Sequence, residues 1–151
     1  MSGRKLRELS LTAALLAGFT FLLNFVWETY HAEFLYRHHD IPASRYVPMM
    51  THVAVNDALL VLSLYAGTAL ACRDALWVRF LKPQRVALFV LLGLIVAVAV
   101  EVKGVYLRHQ WSYLPAMPTL LGIGVSPLAQ LSATGLLAVG ITKRLLFPRC
   151  P

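Results

Sequence analysis

Four apolar stretches, each close to the length needed to cross a bilayer, constrain this chain more than any other feature of it. A helix that spans the hydrocarbon core needs roughly 20 mostly apolar residues. Residues 9–31, 48–71, 86–103 and 119–142 meet that criterion. In lipid every backbone N–H and C=O must find its partner within the protein, which leaves helices and closed barrels. The spacing predicts an all-α, integral-membrane four-helix bundle. One transmembrane domain covers residues 1–151, with no linker, low-complexity segment or repeat. Composition agrees: 58% of the residues are hydrophobic and 14% charged, more apolar surface than a soluble domain of this size can bury.

Charge sets the expected orientation, because Lys and Arg accumulate on the cytoplasmic side of short loops. Arg4, Lys5 and Arg7 precede the first span. Arg73, Arg79, Lys82 and Arg85 separate the second from the third, and Lys143, Arg144 and Arg149 follow the fourth. The other side holds only Arg37, Arg45, Lys103 and Arg108. Both termini are therefore expected in the cytoplasm. The basic start followed by an apolar run imitates a signal peptide, but the run is long and no A-x-A site follows it, so it reads as a retained anchor. The net charge of +7 is accounted for by anionic lipid head groups, and no nucleic-acid partner is implied. Cys72 and Cys150 fall on the cytoplasmic side, where disulfides rarely persist. A juxtamembrane Cys150 is at most a palmitoylation site.

With that orientation, the polar residues within the spans gather in the outer half. Asn24, Trp27, Glu28 and His31 stand at i, i+3, i+4 and i+7 and share a helical face. An interfacial aromatic belt explains Trp27, Tyr30 and His31 but not the deeper Asn24. In the second span Pro48 suits a first helical turn. His52 and Asn56 are i, i+4 neighbours, and Asp57 is the deepest acid. Glu101 ends the third span, either as a working acid or as an ion-pair partner of Lys103 or Arg108. The segment Trp111-Ser112-Tyr113-Leu114-Pro115-Ala116-Met117-Pro118 is stiff and amphipathic, either a lid over the bundle mouth or a plain aromatic anchor. In the fourth span Ser126, Gln130 and Thr134 share a face, and a buried Gln in lipid needs a partner.

Acids at membrane depth cost about 2.5–3.5 kcal/mol each at mid-bilayer and commonly mark a working site. Three chemistries can use this cluster. The first is an integral-membrane enzyme doing acid–base chemistry on a lipid or isoprenoid-like substrate, an isomerase, cyclase or lipid-modifying enzyme. Its catalytic candidates are Glu28, Asp57, His31, His52 and Glu101, with Glu28 and Asp57 as the acid/base pair. Asn24, Trp27, Asn56, Trp111, Tyr113 and Gln130 would bind or orient the substrate. The second is metal or haem binding through His31 and His52, or a weak metal site at His38-His39-Asp40, although no HxxxH or CxxC spacing is present. No metal or cofactor is assigned on that basis. The third is a transporter component, or a subunit or assembly factor of a larger complex, with homo-oligomers also open. Membrane lipids and an apolar small molecule are the expected partners.

The motifs at residues 24–28 (NFVWE), 111–118 (WSYLPAMP) and 122–130 (GIGVSPLAQ) resemble a group of small bacterial four-span inner-membrane proteins. That resemblance covers most of the chain. It implies a multi-pass protein of the bacterial inner membrane and no particular activity. A more distant likeness is to the four-helix EXPERA and lycopene-cyclase-like membrane proteins, which carry membrane-embedded acids and act on sterols or carotenoids. The cyclases' Pro-x-Glu-Glu type motif is absent, so this likeness implies architecture and an apolar substrate class and carries over no catalytic residue.

Overall fold

The computed structural model describes residues 2–37 and 41–148. The candidate metal cluster at His38, His39 and Asp40, together with Arg149 and Cys150, lies outside the described residues. Four helices long and apolar enough to cross a membrane make an all-α bundle. Helix α1 (Gly3–Phe34) is capped by Ser2, whose hydroxyl accepts from the Lys5 N–H at 3.4 Å. At its other end the His31 carbonyl accepts from the Leu35 and Tyr36 N–H groups.

Helix α2 (Ala43–Ala71) begins before the proline that the sequence marks as its start. Arg45 and Tyr46 both donate to the Pro42 carbonyl, which closes the first turn there. Pro48 then lies inside the helix as its sixth residue, past the first turn, where it cannot donate to the Ser44 carbonyl. Helix α3 (Pro83–Glu101) starts with proline at its first position, where an N–H would be unpaired anyway. At Glu101 it widens into a π-helical turn, Val102–Leu107.

The fourth span is shorter than the sequence implies. Residues 119–124, read as its beginning, instead form a hairpin of β1 (Thr119–Leu120) and β2 (Ile123–Gly124). Leu121 and Gly122 turn it with φ of 53° and 83°, values that a helix cannot accept. Helix α4 (Val125–Leu146) follows directly.

Long-range contacts fix an up-and-down order. At one end, here the terminal end, Glu8 near the N-terminus pairs with Arg79 of the α2–α3 connection. The Arg79 guanidinium lies 5.0 Å from the ring centre of Phe147 just past α4. At the opposite, distal end the α1–α2 and α3–α4 connections meet through Tyr36 and Tyr113.

The terminal end is filled. A 3₁₀ turn, Trp77–Arg79, drives Trp77 and Val78 to complete burial between the helices. Trp77 stacks on Tyr65 at 5.1 Å and donates its indole N–H to the Tyr65 carbonyl at 3.2 Å. The Tyr65 hydroxyl in turn donates to the Ala75 carbonyl. Each polar tip of the two aromatics is therefore bonded, as burial requires. Leu16, Val61, Phe89 and Val139 continue the core.

Small residues set the helix spacing, as is common where lipid gives no hydrophobic drive for association. A methyl group on Gly135 of α4 would lie 2.7 Å from Phe89 Cζ and 3.2 Å from Val61 Cγ1. Both neighbours are wholly buried. Gly135→Ala should therefore cost about 1–3 kcal/mol through overpacking. Thermal unfolding in detergent checks this against Gly140→Ala, where nothing lies within 4 Å.

Candidate functional site

The polar residues of the distal half converge on one side chain, Gln130 of α4. Its amide Nε2 donates toward Glu28 Oε1 at 2.6 Å, Asp57 Oδ2 at 3.0 Å and Asn24 Oδ1 at 3.0 Å. Asn24 is held for this role by its own amide, which donates to the Thr20 carbonyl one turn back. The Thr134 hydroxyl lies 3.2 Å from Asn24 Oδ1 and 2.8 Å from the Gln130 carbonyl. The Gln130 amide has two hydrogens for three side-chain oxygens, and the Thr134 hydroxyl is in reach of one of them, Asn24 Oδ1.

Glu101 is 3% exposed and faces the same space from α3. The sequence offers Lys103 or Arg108 as its partner, but Lys103 on the π-helical turn and Arg108 just past it are both exposed. Glu101 instead accepts from the Tyr113 hydroxyl and, at 3.5 Å, from the Trp111 indole. Among the described residues, ion pairs join Glu8 and Asp74 to arginines at the terminal end, and none reaches Glu28, Asp57 or Glu101.

These groups surround a chamber of about 260 Å³. Its remaining wall is apolar, with Met49, Met50, Val53, Leu60, Val100 and Leu131. Trp111, Tyr36 and Tyr113 cover it. The residues on either side of Tyr36 pair with the α3–α4 connection like a short ribbon. Arg37 N–H donates to the Ser112 carbonyl at 3.0 Å, and Leu114 N–H donates to the Leu35 carbonyl at 2.9 Å. Tyr36 stacks on Tyr113 at 5.9 Å and meets Trp111 at 6.4 Å. Burial, and then its bond to Glu101, pushes the Tyr113 phenol above its ordinary range and keeps it a donor. Gly104 lets Trp111 settle, because a Cβ there would lie 2.0 Å from the indole.

The sequence candidates divide. Asn24, Glu28, Asp57, Glu101, Trp111, Tyr113 and Gln130 meet at or over the chamber. Trp27 and His31 turn instead to the α1–α4 seam. There the Trp27 indole donates to His31 Nε2 at 2.6 Å, and the Ser126 hydroxyl lies 2.7 Å from the same nitrogen. His52 and Asn56 are exposed on the outer face of α2, because the 100° step from Asn56 to Asp57 carries only Asp57 inward. His31 and His52 thus face different surroundings, so the structure forms no bis-histidine pair from them. Among the described residues, no group of three His, Cys, Asp or Glu side chains is arranged to hold a metal ion. Tyr36, Ala32, Met49 and Met50 line the chamber and were not candidates. Tyr36 lies beyond the last turn of α1, where helical periodicity gives no signal.

A second hollow adjoins the first. A cleft of about 920 Å³ between α1 and the start of α2 shares Ala32 and Tyr36 with the chamber wall. Val26, Tyr30 and Phe34, all exposed, line its α1 side. No protein-family model, curated protein or solved structure matches this chain.

Proposed function

We propose that the protein is a membrane-embedded enzyme that moves a proton onto and off an apolar, lipid-like substrate, with Glu28 and Asp57 as the acid/base pair. The observation that carries this reading is the shared Gln130 amide, which holds both carboxyls against one nitrogen inside an apolar chamber. Like-charged carboxyls this close, with no Lys or Arg paired to them among the described residues, favour sharing a proton.

The chemistry balances without a co-reactant. The protonated carboxyl gives its proton to one carbon of an alkene, whose π electrons form the new C–H bond and leave a carbocation at the other carbon. The partner carboxylate then takes a proton from an adjacent carbon, and that C–H pair becomes the new double bond. The product is an isomer, and the proton has moved across the pair. Trp111 and Tyr36 offer π faces to the cationic stage. Glu101, fixed by Tyr113 and Trp111, adds negative potential to the same space. Asn24 and Gln130 position the pair. The apolar cleft beside Ala32 supports a long substrate arriving from the membrane. The packed terminal end favours a one-sided reaction chamber over a conduit. The excess of Lys and Arg at the terminal end supports a cytoplasmic position for both termini.

Proton transfer can be read without knowing the substrate. Purified protein in nanodiscs of bacterial lipid extract, incubated in D₂O, should place deuterium at carbon in one lipid class, seen by mass spectrometry. Glu28→Gln and Asp57→Asn should each slow that incorporation by about 10²–10⁴-fold, the usual contribution of general acid–base catalysis. If no lipid gains deuterium faster with the wild type than with the double variant, the reading is wrong.

A further inference from the structure

Halfway along α2, where the surroundings are hydrocarbon, Asn56 is exposed and its amide has no hydrogen-bond partner among the described residues. A bare amide facing lipid tails is costly, and in membranes such groups commonly pair across a helix–helix contact. The mid-span outer faces of α1 and α3 differ: they present Leu22 and Val26, and Leu91 and Ile95, which suit lipid.

Asn56 belongs to a pattern. His52, Asn56, Leu59, Ser63, Ala66 and Leu70 are all exposed and follow one another at alternating steps of four and three residues. Those steps keep the six side chains on one stripe along the helix, the a/d-type spacing by which a helix meets a partner helix. The rest of α2 already packs on α1, α3 and α4, so this seam is free for another chain. Ser63 and Ala66 are small enough for close approach, and the Ser63 hydroxyl is spent on the Leu59 carbonyl.

An amide carries both donors and an acceptor, so it is complementary to itself. A twofold axis along the membrane normal brings a seam against its own copy in the same orientation and sets Asn56 opposite its counterpart. A single Asn at a core position also fixes register and favours the dimer. We propose that the seam on α2 joins two copies of this chain in a parallel homodimer, with the Asn56 amides bonded across the axis.

Cross-linking in native membranes tests this, in a chain whose own Cys72 and Cys150 have been changed to Ser. Asn56→Cys, Leu59→Cys and Ser63→Cys should form disulfide-linked dimers under copper-phenanthroline oxidation. Val55→Cys and Leu62→Cys, off the seam, and Leu91→Cys on α3 should not. In nanodiscs or on dilution into excess lipid, Asn56→Leu should weaken self-association measured by energy transfer about tenfold. Asn56→Gln, which keeps the amide, should retain it. Cross-linking without the seam periodicity, cross-links to a different protein alone, or unchanged association of Asn56→Leu would each overturn the proposal.

Discussion

Gln130→Leu is expected to lower the stability of the folded bundle by about 2–3 kcal/mol. Cross-helix hydrogen bonds in membrane proteins average only about 0.6 kcal/mol, because unfolded helices in lipid find other partners. Gln130 departs from that average, since its one amide serves Asn24, Glu28 and Asp57 together. Its removal leaves the Glu28 and Asp57 oxygens without this donor and Asn24 Oδ1 with the Thr134 hydroxyl alone, and an orphaned acceptor away from water costs more than a lost bond is worth. The residue also ties α4 to α1 and α2, so the loss should appear as an earlier thermal transition in detergent. Gln130→Glu, close in shape but lacking the N–H groups, should cost more than Gln130→Leu because it adds a fourth acid. Combining Gln130→Leu with Glu28→Leu and Asp57→Leu should restore most of the stability, since apolar replacement of a whole buried polar group is often neutral. A triple variant as unstable as Gln130→Leu would show that the amide's packing matters and its hydrogen bonds do not.

Gly104→Ala should unseat the cover of the chamber. The new Cβ would stand 2.0 Å from the Trp111 Cη2 and Cζ2 atoms, a separation that no small adjustment relieves. The indole must swing away, giving up its bond to Glu101 and its contact with Tyr36. The stability cost should be about 1–3 kcal/mol. The more specific sign is optical: Trp111 fluorescence should shift to the red and become open to acrylamide quenching, judged by difference from Trp111→Phe. Because both changes act on one contact, Gly104→Ala should add little to a Trp111→Ala background. Additive losses would place the effect of Gly104 in the π-helical turn itself.

Much of the fold could be read from residue patterns, because lipid imposes simple demands. Length and hydropathy located the helices, and the aromatic and proline spacing of residues 111–118 left a cover over the bundle mouth as one of two options. Helical period put Asn24, Trp27, Glu28 and His31 on one face, and Asn24 and His31 are buried, whereas an interfacial belt would have left His31 at the surface. It could not say that one helix serves two neighbours. Glu28 turns to the chamber while Trp27, one step back, turns to α4. On α2 a single residue step separates Asp57 from the outward Asn56. Gln130 announced a need for partners, but those partners lie 73 to 106 residues away along the chain. Only the folded bundle brings them into reach. Gly122 falls inside the span 119–142 that hydropathy marks as helix, yet it turns a hairpin, because positive φ at two successive positions is a tertiary outcome with only a weak local signature.

The Trp77 plug has an electrical consequence. Moving one elementary charge across a membrane costs or releases about 2.3 kcal/mol per 100 mV. With Trp77 and Val78 fully buried across the terminal end, the proposed acid pair would exchange protons with the compartment at the distal mouth alone. A proton that arrives and leaves by the same mouth traverses none of the transmembrane field. Turnover by the proposed reaction would therefore be voltage-silent: it would neither draw on the proton-motive force nor dissipate it, and it would follow the pH of one compartment only.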